Sequence, residues 1–211
     1  MNRVSDFAGY YLGCGAPIKN AAARGHIEIV WLLVERGADP NLPEEGIAPD
    51  GHALANDPDA LANAASEGKE SFVRLMLRYQ PDLPRRVECP GWAVGAKSRE
   101  LNELLFQHGM SPSAPDWLGI TPLHHFARHG EVEKATLFLD HGADLHARDE
   151  DICSTSLGWA AKFGQKALVR LLLERGAKPT LADDPPWATP LAWAMRRGHL
   201  EIVELLQSHK V

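Results

Sequence analysis

Apolar residues along the 211-residue chain recur in two alternating segment lengths. A short patterned segment runs up to a glycine and a longer one follows it, as in "APIKNAAARG" then "HIEIVWLLVERGA" (26–38), or "TSLGWAAKFG" (155–164) then "QKALVRLLLERGA" (165–177). Apolar positions three and four residues apart line one face of an α-helix, whereas a strand would alternate. A glycine suits the tight turn between two such helices, and a second one twelve residues on (Gly37 after Gly25, Gly142 after Gly130, Gly176 after Gly164) suits the end of the longer helix. The chain therefore reads as a series of helical hairpins. Their turns fall at Gly25, Gly68, Lys97, Gly130, Gly164 and Gly198, separated by 43, 29, 33, 34 and 34 residues. One hairpin cannot bury its own apolar face, so units of near-equal period are expected to stack side by side into an all-α solenoid.

Position relative to the turn sorts each short helix into two faces, at about 100° per residue. Residues seven, four and three before the turn are apolar: Ile18, Ala21 and Ala22; Leu123, Phe126 and Ala127; Leu157, Ala160 and Ala161; Leu191, Ala194 and Met195. This is the face expected to be buried. Residues five, two and one before the turn lie opposite and are expected to be open. They read Asn20, Ala23, Arg24; Asn63, Ser66, Glu67; Trp92, Gly95, Ala96; His125, Arg128, His129; Trp159, Lys162, Phe163; and Trp193, Arg196, Arg197.

The stretch "TPLHHFARHGEVEKATLFLDHGADLHA" resembles the ankyrin repeat, whose period is about 33 residues and whose signature is T-P-L-H-x-A. "TSLGWAAKFG", "TPLAWAMRRGHLEIVELL" (189–206) and "APIKNAAARGHIEIVWLL" (16–33) are similar to it. The resemblance implies an ankyrin-repeat solenoid of helix-turn-helix units with protruding β-turn or loop tips, in a single domain spanning 1–211. Repeats are expected near 15–42, 57–84, 85–115, 116–148, 149–182 and 183–211, after an N-terminal cap at 1–14 and with an inserted loop at 43–59. The third repeat departs most, with Pro90 and Gly91 where its short helix should begin and Lys97 at its turn. The resemblance also implies that His124, at the T-P-L-H histidine, is structural and holds neighbouring turns by hydrogen bonds.

Net charge of -6 argues against a general attraction to nucleic acid or anionic membranes, so any basic surface must be local. Cys14, Cys89 and Cys153 form neither a disulfide framework nor a C-x-x-C pair, which fits a cytoplasmic setting. An export signal around "FAGYYLGCG" is interrupted by Asp6 and too short, and no run approaches the ~18 apolar residues of a membrane span.

His124, His125 and His129 crowd into ten positions, which raises metal binding and catalysis. The open positions of the adjoining units supply no third or fourth ligand, and Arg128 would repel a cation. No Ser or Cys falls on the open face near His125 or His129 to act as a nucleophile, and there is no phosphate-loop or dinucleotide pattern. The expectation is a protein that is not an enzyme and has no cofactor or metal.

The last three open triplets hold Arg128, Lys162, Arg196 and Arg197 without an acid. Together with His125, His129, Trp159, Phe163 and Trp193, and with Trp117 and Trp187 at the loop tips, they form the expected partner-binding surface, a composition found at interface hot spots. The alternative is that Trp92, Trp159 and Trp193 lie flat against neighbouring short helices. Asp149, Glu150, Asp151, Asp183 and Asp184 are placed at the rim. The expected function is non-catalytic binding of a protein partner, acidic with apolar anchors, through the concave face, as in a cytosolic inhibitor or immunity-type binder. Single-stranded nucleic acid on the same stripe and a structural or oligomerisation spacer are the other readings; a monomer is expected over a homodimer.

Overall fold

The computed structural model describes residues 17, 21, 26–38, 58–79 and 98–209. Ten helices lie within them: α1 (Ile27–Glu35), α2 (Pro58–Glu67), α3 (Glu70–Tyr79), α4 (Arg99–Gln107), α5 (Pro122–His129), α6 (Val132–Asp140), α7 (Ser156–Lys162), α8 (Lys166–Glu174), α9 (Pro190–Arg197) and α10 (Leu200–Ser208). Pairing in chain order gives the hairpins α2/α3, α5/α6, α7/α8 and α9/α10, with α1 and α4 as the longer helices of the first and third units. The only β-pairing among the described residues is an isolated antiparallel bridge between Arg148 and Thr155, at the base of one loop tip. The expected N-terminal cap, the short helix of the third unit with Trp92, and most of the 43–59 insertion lie outside the described residues. Residues 58 and 59 already belong to α2.

The glycine spacing has a direct conformational cause. Gly68, Gly130, Gly164 and Gly198 all adopt φ of 74–75°, and Gly37, Gly109, Gly142 and Gly176 adopt φ of 86–93°. Both sets occupy the left-handed region, where a side chain would clash with its own backbone. In each complete hairpin, the residue after the turn glycine then sends its amide back to a short-helix carbonyl, as Gln165 does to Ala160 at 2.9 Å and His199 to Ala194 at 3.0 Å. This closes the orphan carbonyls of the short helix.

Successive short helices pack against each other, α5 on α7 and α7 on α9, while α6, α8 and α10 form a second layer. Leu123, Phe126, Ala127, Leu157, Ala160, Ala161 and Ala194 are buried between the layers with Phe138, Leu168, Val169, Leu172, Ile202 and Leu206. One expected core residue departs from this. Met195 is 63% exposed, and Leu200 is exposed beside it, on the last hairpin of the described residues.

Polar contacts keep the units in register. Glu103 meets His141 at 2.9 Å, Asp140 meets Arg175 at 2.7 Å, and Lys166 meets Glu201 at 2.8 Å, each pair joining neighbouring longer helices. Exposed pairs of this kind contribute little to stability, about 0–1 kcal/mol each, so they set alignment more than they add strength.

Gly158 lies inside α7, where alanine is ordinarily favoured by about 1 kcal/mol. Here a Cβ would meet Ser154 Cβ and Oγ at 2.9 Å. That serine cannot yield, since its hydroxyl donates to the Ala188 carbonyl and accepts the Trp193 indole N–H. Gly158→Ala is therefore expected to destabilise the chain by about 1–3 kcal/mol, the usual range for overpacking. The urea midpoint measures it; an unchanged or higher midpoint contradicts this packing account.

Candidate functional site

The short helices α5, α7 and α9 run between loop tips on one side and the longer helices on the other, and their exposed ends form the candidate surface. What fixes them begins with His124. The Thr121 amide donates to its Nδ1 at 3.0 Å, and the Thr121 hydroxyl lies 2.9 Å from the same nitrogen. An amide only donates, so Nδ1 is an acceptor and Nε2 carries the proton, which it gives to the Ser154 carbonyl of the next unit at 3.1 Å. The expected structural histidine thus pins one turn to the next.

Burial holds the His124 pKa below its ordinary value, against the opposing pull of the Ser154 carbonyl and the Asp149 charge. Protonation would place a hydrogen on Nδ1 facing the Thr121 amide. The folded chain therefore binds fewer protons here than the unfolded one, and stability rises with pH across the interval between the two pKa values. His125, also lowered by burial, acts in the same direction. The contribution is complete above the unfolded imidazole value of about 6.5 and is lost as pH falls through it toward the folded value. Urea midpoints measured from pH 7.5 to 5 are expected to fall, and His124→Gln is expected to flatten the slope.

The next two units do not use a histidine. Gly158 and Ala192 stand where His124 does, and the bonded ring lies one residue on: Trp193 ties its unit to the preceding one, while Trp159 bonds to the tip of its own unit. Trp159 is 5% exposed and Trp193 is 7% exposed, so neither is the open anchor expected from its helix position. Trp159 Nε1 donates to Asp149 Oδ2 at 2.8 Å, and Trp193 Nε1 donates to Ser154 Oγ at 2.9 Å. Each indole is drawn against a loop tip by its one polar atom. Asp149 is correspondingly not a free rim acid. It is buried, and it also accepts the amides of Ile152 and Ser154 at 2.6 and 3.1 Å. Asp184 is likewise engaged, with Arg148 at 2.8 Å and the Leu181 amide at 2.6 Å, leaving Glu150, Asp151 and Asp183 exposed.

Of these rings Trp193 carries cations, as does the more exposed Phe163. Lys162 Nζ lies 4.4 Å from the Trp193 ring centre and Arg196 Cζ lies 4.2 Å from it. Lys162 also lies 5.6 Å from the Phe163 ring, which Arg128 Cζ approaches to 5.4 Å. The order Arg128, Phe163, Lys162, Trp193, Arg196 thus forms a cation–aromatic ladder across three units, within the reach of favourable cation–π contact. None of Arg128, Lys162, Arg196 and Arg197 forms an ion pair with a carboxylate among the described residues. Partial burial, then repulsion from Arg197, lowers the Lys162 pKa. Arg196 also donates to the Trp187 carbonyl, which ties the ladder's end to a loop tip.

The remaining candidate residues fall around this ladder. Trp117 is 83% exposed on one tip and Trp187 is 50% exposed on another, while Phe163 is partly exposed beside the cations. His129 is exposed and its Nδ1 contacts the His125 carbonyl at 2.9 Å; His125 is half-buried, with no hydrogen-bond partner on Nε2 among the described residues. No group of three or more His, Cys, Asp or Glu is placed to share a metal ion among the described residues.

Gln165 and His199 were not singled out by sequence. Gln165 Nε2 donates to the Arg128 carbonyl at 3.1 Å, and His199 Nε2 lies 3.3 Å from the Lys162 carbonyl. Each follows a turn glycine and reaches back over the turn of the preceding unit, so it holds the backbone that bears a ladder cation. Their shared position, one residue after the turn, is the signal that marks them.

Family comparison agrees with this architecture. The family profile described as "Ankyrin repeats (3 copies)" matches residues 91–183 and 155–211, and that described as "Ankyrin repeat" matches residues 18–45. The chain belongs to the ankyrin repeat family, whose repeats are in general protein–protein interaction modules. Among curated proteins, it is similar to "E3 ubiquitin-protein ligase XBAT32" of Arabidopsis thaliana, 31% identical over a 159-residue match that covers 62% of this chain and 30% of that protein. The chain thus spans under a third of the length of that relative. No helix among the described residues is long and apolar enough to cross a membrane.

Proposed function

We propose that this chain binds a protein partner, without catalysis, through the short-helix face of its last three units. Arg128, Lys162, Arg196 and Arg197 attract an acidic segment of the partner. Trp117, Phe163 and Trp187 supply apolar contact at the edges, and His125 and His129 line one end. Trp193 serves from beneath, as the ring that Lys162 and Arg196 cover, and Trp159 supports Phe163, the ring that Arg128 and Lys162 approach. The observation that carries this reading is the cation–aromatic ladder itself: three cations on two rings, with Arg197 near Lys162, none of the four in an ion pair with a carboxylate among the described residues, in a chain of net charge -6. Unneutralised charge held in fixed positions favours recognition and fast association of an oppositely charged partner.

The exposed acids Glu150, Asp151 and Asp183 at the tips would exclude a broadly acidic surface and admit a segment whose charge is local. An inhibitor-type mode, in which the chain occupies its partner's surface, requires nothing further of this face. The test is charge reversal of Arg128 and Arg196 to glutamate, followed by partner capture across a range of salt. Unchanged capture and unchanged salt dependence refute the assignment.

A further inference from the structure

We infer that the cation–aromatic ladder is a receiving site for a phosphorylated side chain on the partner segment, so that partner binding depends on that modification. This rests on the reading that the short-helix face binds a protein. The argument is one of charge density. Lys162 is shared between the Trp193 and Phe163 rings, with Arg196 on the first ring and Arg128 on the second, so three cations crowd around two adjacent rings. Arg197 and Arg128 both press on the charge of Lys162. Like charges held this close repel, and a compact anion among them relieves the repulsion.

A carboxylate offers one charge and two oxygens. A phosphate monoester offers about -1.5 to -2 charges and three strong acceptor oxygens, so it can engage Lys162 and a neighbouring cation at once and answers the charge of the group more fully than a carboxylate.

The surroundings separate this ligand from other anions. Asp151 lies within electrostatic reach of Lys162 and, like Glu150 and Asp183, is exposed. A run of carboxylates would meet those acids as well as the cations. One phosphoryl group with uncharged flanks brings its charge to Lys162 and keeps its flanks neutral beside the exposed acids. A single-stranded nucleic acid would need open ring faces for its bases. The Trp193 ring has little exposed surface, is covered by Lys162 and Arg196, and its N–H is already committed to Ser154.

The full chain is titrated at low salt with short fluorescent peptides of one Gly/Ala background. The central residue is phosphoserine, serine or glutamate, and a hexaglutamate peptide and a single-stranded oligonucleotide are run beside them. The phosphoserine peptide is expected to bind at least about tenfold tighter than the serine and glutamate peptides and to shift the Trp193 indole N–H resonance. Lys162→Gln with Arg197→Gln is expected to remove that preference while the urea midpoint stays near wild type; should that variant unfold, Arg197→Gln alone is expected to reduce the preference. Equal binding of the phosphoserine and serine peptides, or of the phosphoserine and glutamate peptides, overturns the inference. If hexaglutamate then binds and responds to Arg128→Glu, the acidic-partner reading survives that failure. Tighter binding of the oligonucleotide than of any peptide overturns both.

Discussion

Replacing Arg128 and Arg196 together by glutamate is expected to lower affinity for the protein partner about a hundredfold and to remove most of its salt dependence. The two residues sit at opposite ends of the ladder, one over Phe163 and one over Trp193. Reversing both puts an acid at each end of the ladder and leaves Lys162 as its one cation, with Arg197 the other cation of this face, so the long-range attraction is cancelled as well as two contacts. Rate and lifetime should both suffer. A partner approaching the wild type is steered by the field of the groove, while one already bound is held by charge-assisted hydrogen bonds. Both side chains are exposed, and neither belongs to the buried set, so the unfolding midpoint is expected to move little. Surface plasmon resonance at two salt concentrations, with urea unfolding of the same variant as control, separates loss of recognition from loss of fold. An affinity within a factor of three of wild type at low salt excludes the ladder as the site.

Trp159→Ala is expected to cost about 3–5 kcal/mol of stability, the range for emptying a large buried aromatic position. Two losses combine there. The indole fills the space between α5 and the tip of its own unit, edge-on to His124 at 5.6 Å between ring centres. Its N–H is also one of three donors on the buried Asp149 carboxylate. Trp159→Phe keeps most of the volume and removes only the donor, so it is expected to cost about 1–3 kcal/mol, the penalty for leaving a buried polar group short of a partner. The order wild type, Phe, Ala in urea midpoint is the check. If Phe and Ala are equally destabilised, the hydrogen bond to Asp149 dominates and the packing argument fails. Because units of a solenoid couple mainly to their neighbours, the loss should be felt most in α5 to α10, and hydrogen exchange on α2 and α3 should change least.

The two results bear on each other. The ladder works only because its aromatic rungs are held in place, Trp193 by its inward N–H bond to Ser154 and Phe163 by packing on Trp159, itself bonded to Asp149. A Trp159→Ala chain that still folds is expected to bind its partner less tightly, although Trp159 itself offers the partner almost no surface. Its ring lies 5.9 Å from Phe163, the rung shared by Arg128 and Lys162.

Much of this architecture is legible in the residues alone. The pairing of shorter with longer helices and the turns at Gly68, Gly130, Gly164 and Gly198 follow from local geometry, since a left-handed turn selects glycine wherever it occurs and helical spacing marks the apolar face. The pinning role of His124 follows from its motif, and the exposed cations Arg128, Arg196 and Arg197 follow from charge. What tertiary structure alone decided is where the tryptophans point and what the acids do. Helical periodicity assigns an angle about one helix axis, but it does not register the loop tip that folds over that angle, so Trp159 and Trp193 are shaded by Asp149 and Ser154 from segments before their own helices. In the same way Met195 has the angle of a core residue and yet meets solvent, because burial needs a neighbour packed on that face as well as a position on a helix. Sequence by itself set the repeat and its chemistry; contact between units, which depends on groups brought together across 30 or more residues, turned an expected row of open aromatics into a supported row of cations.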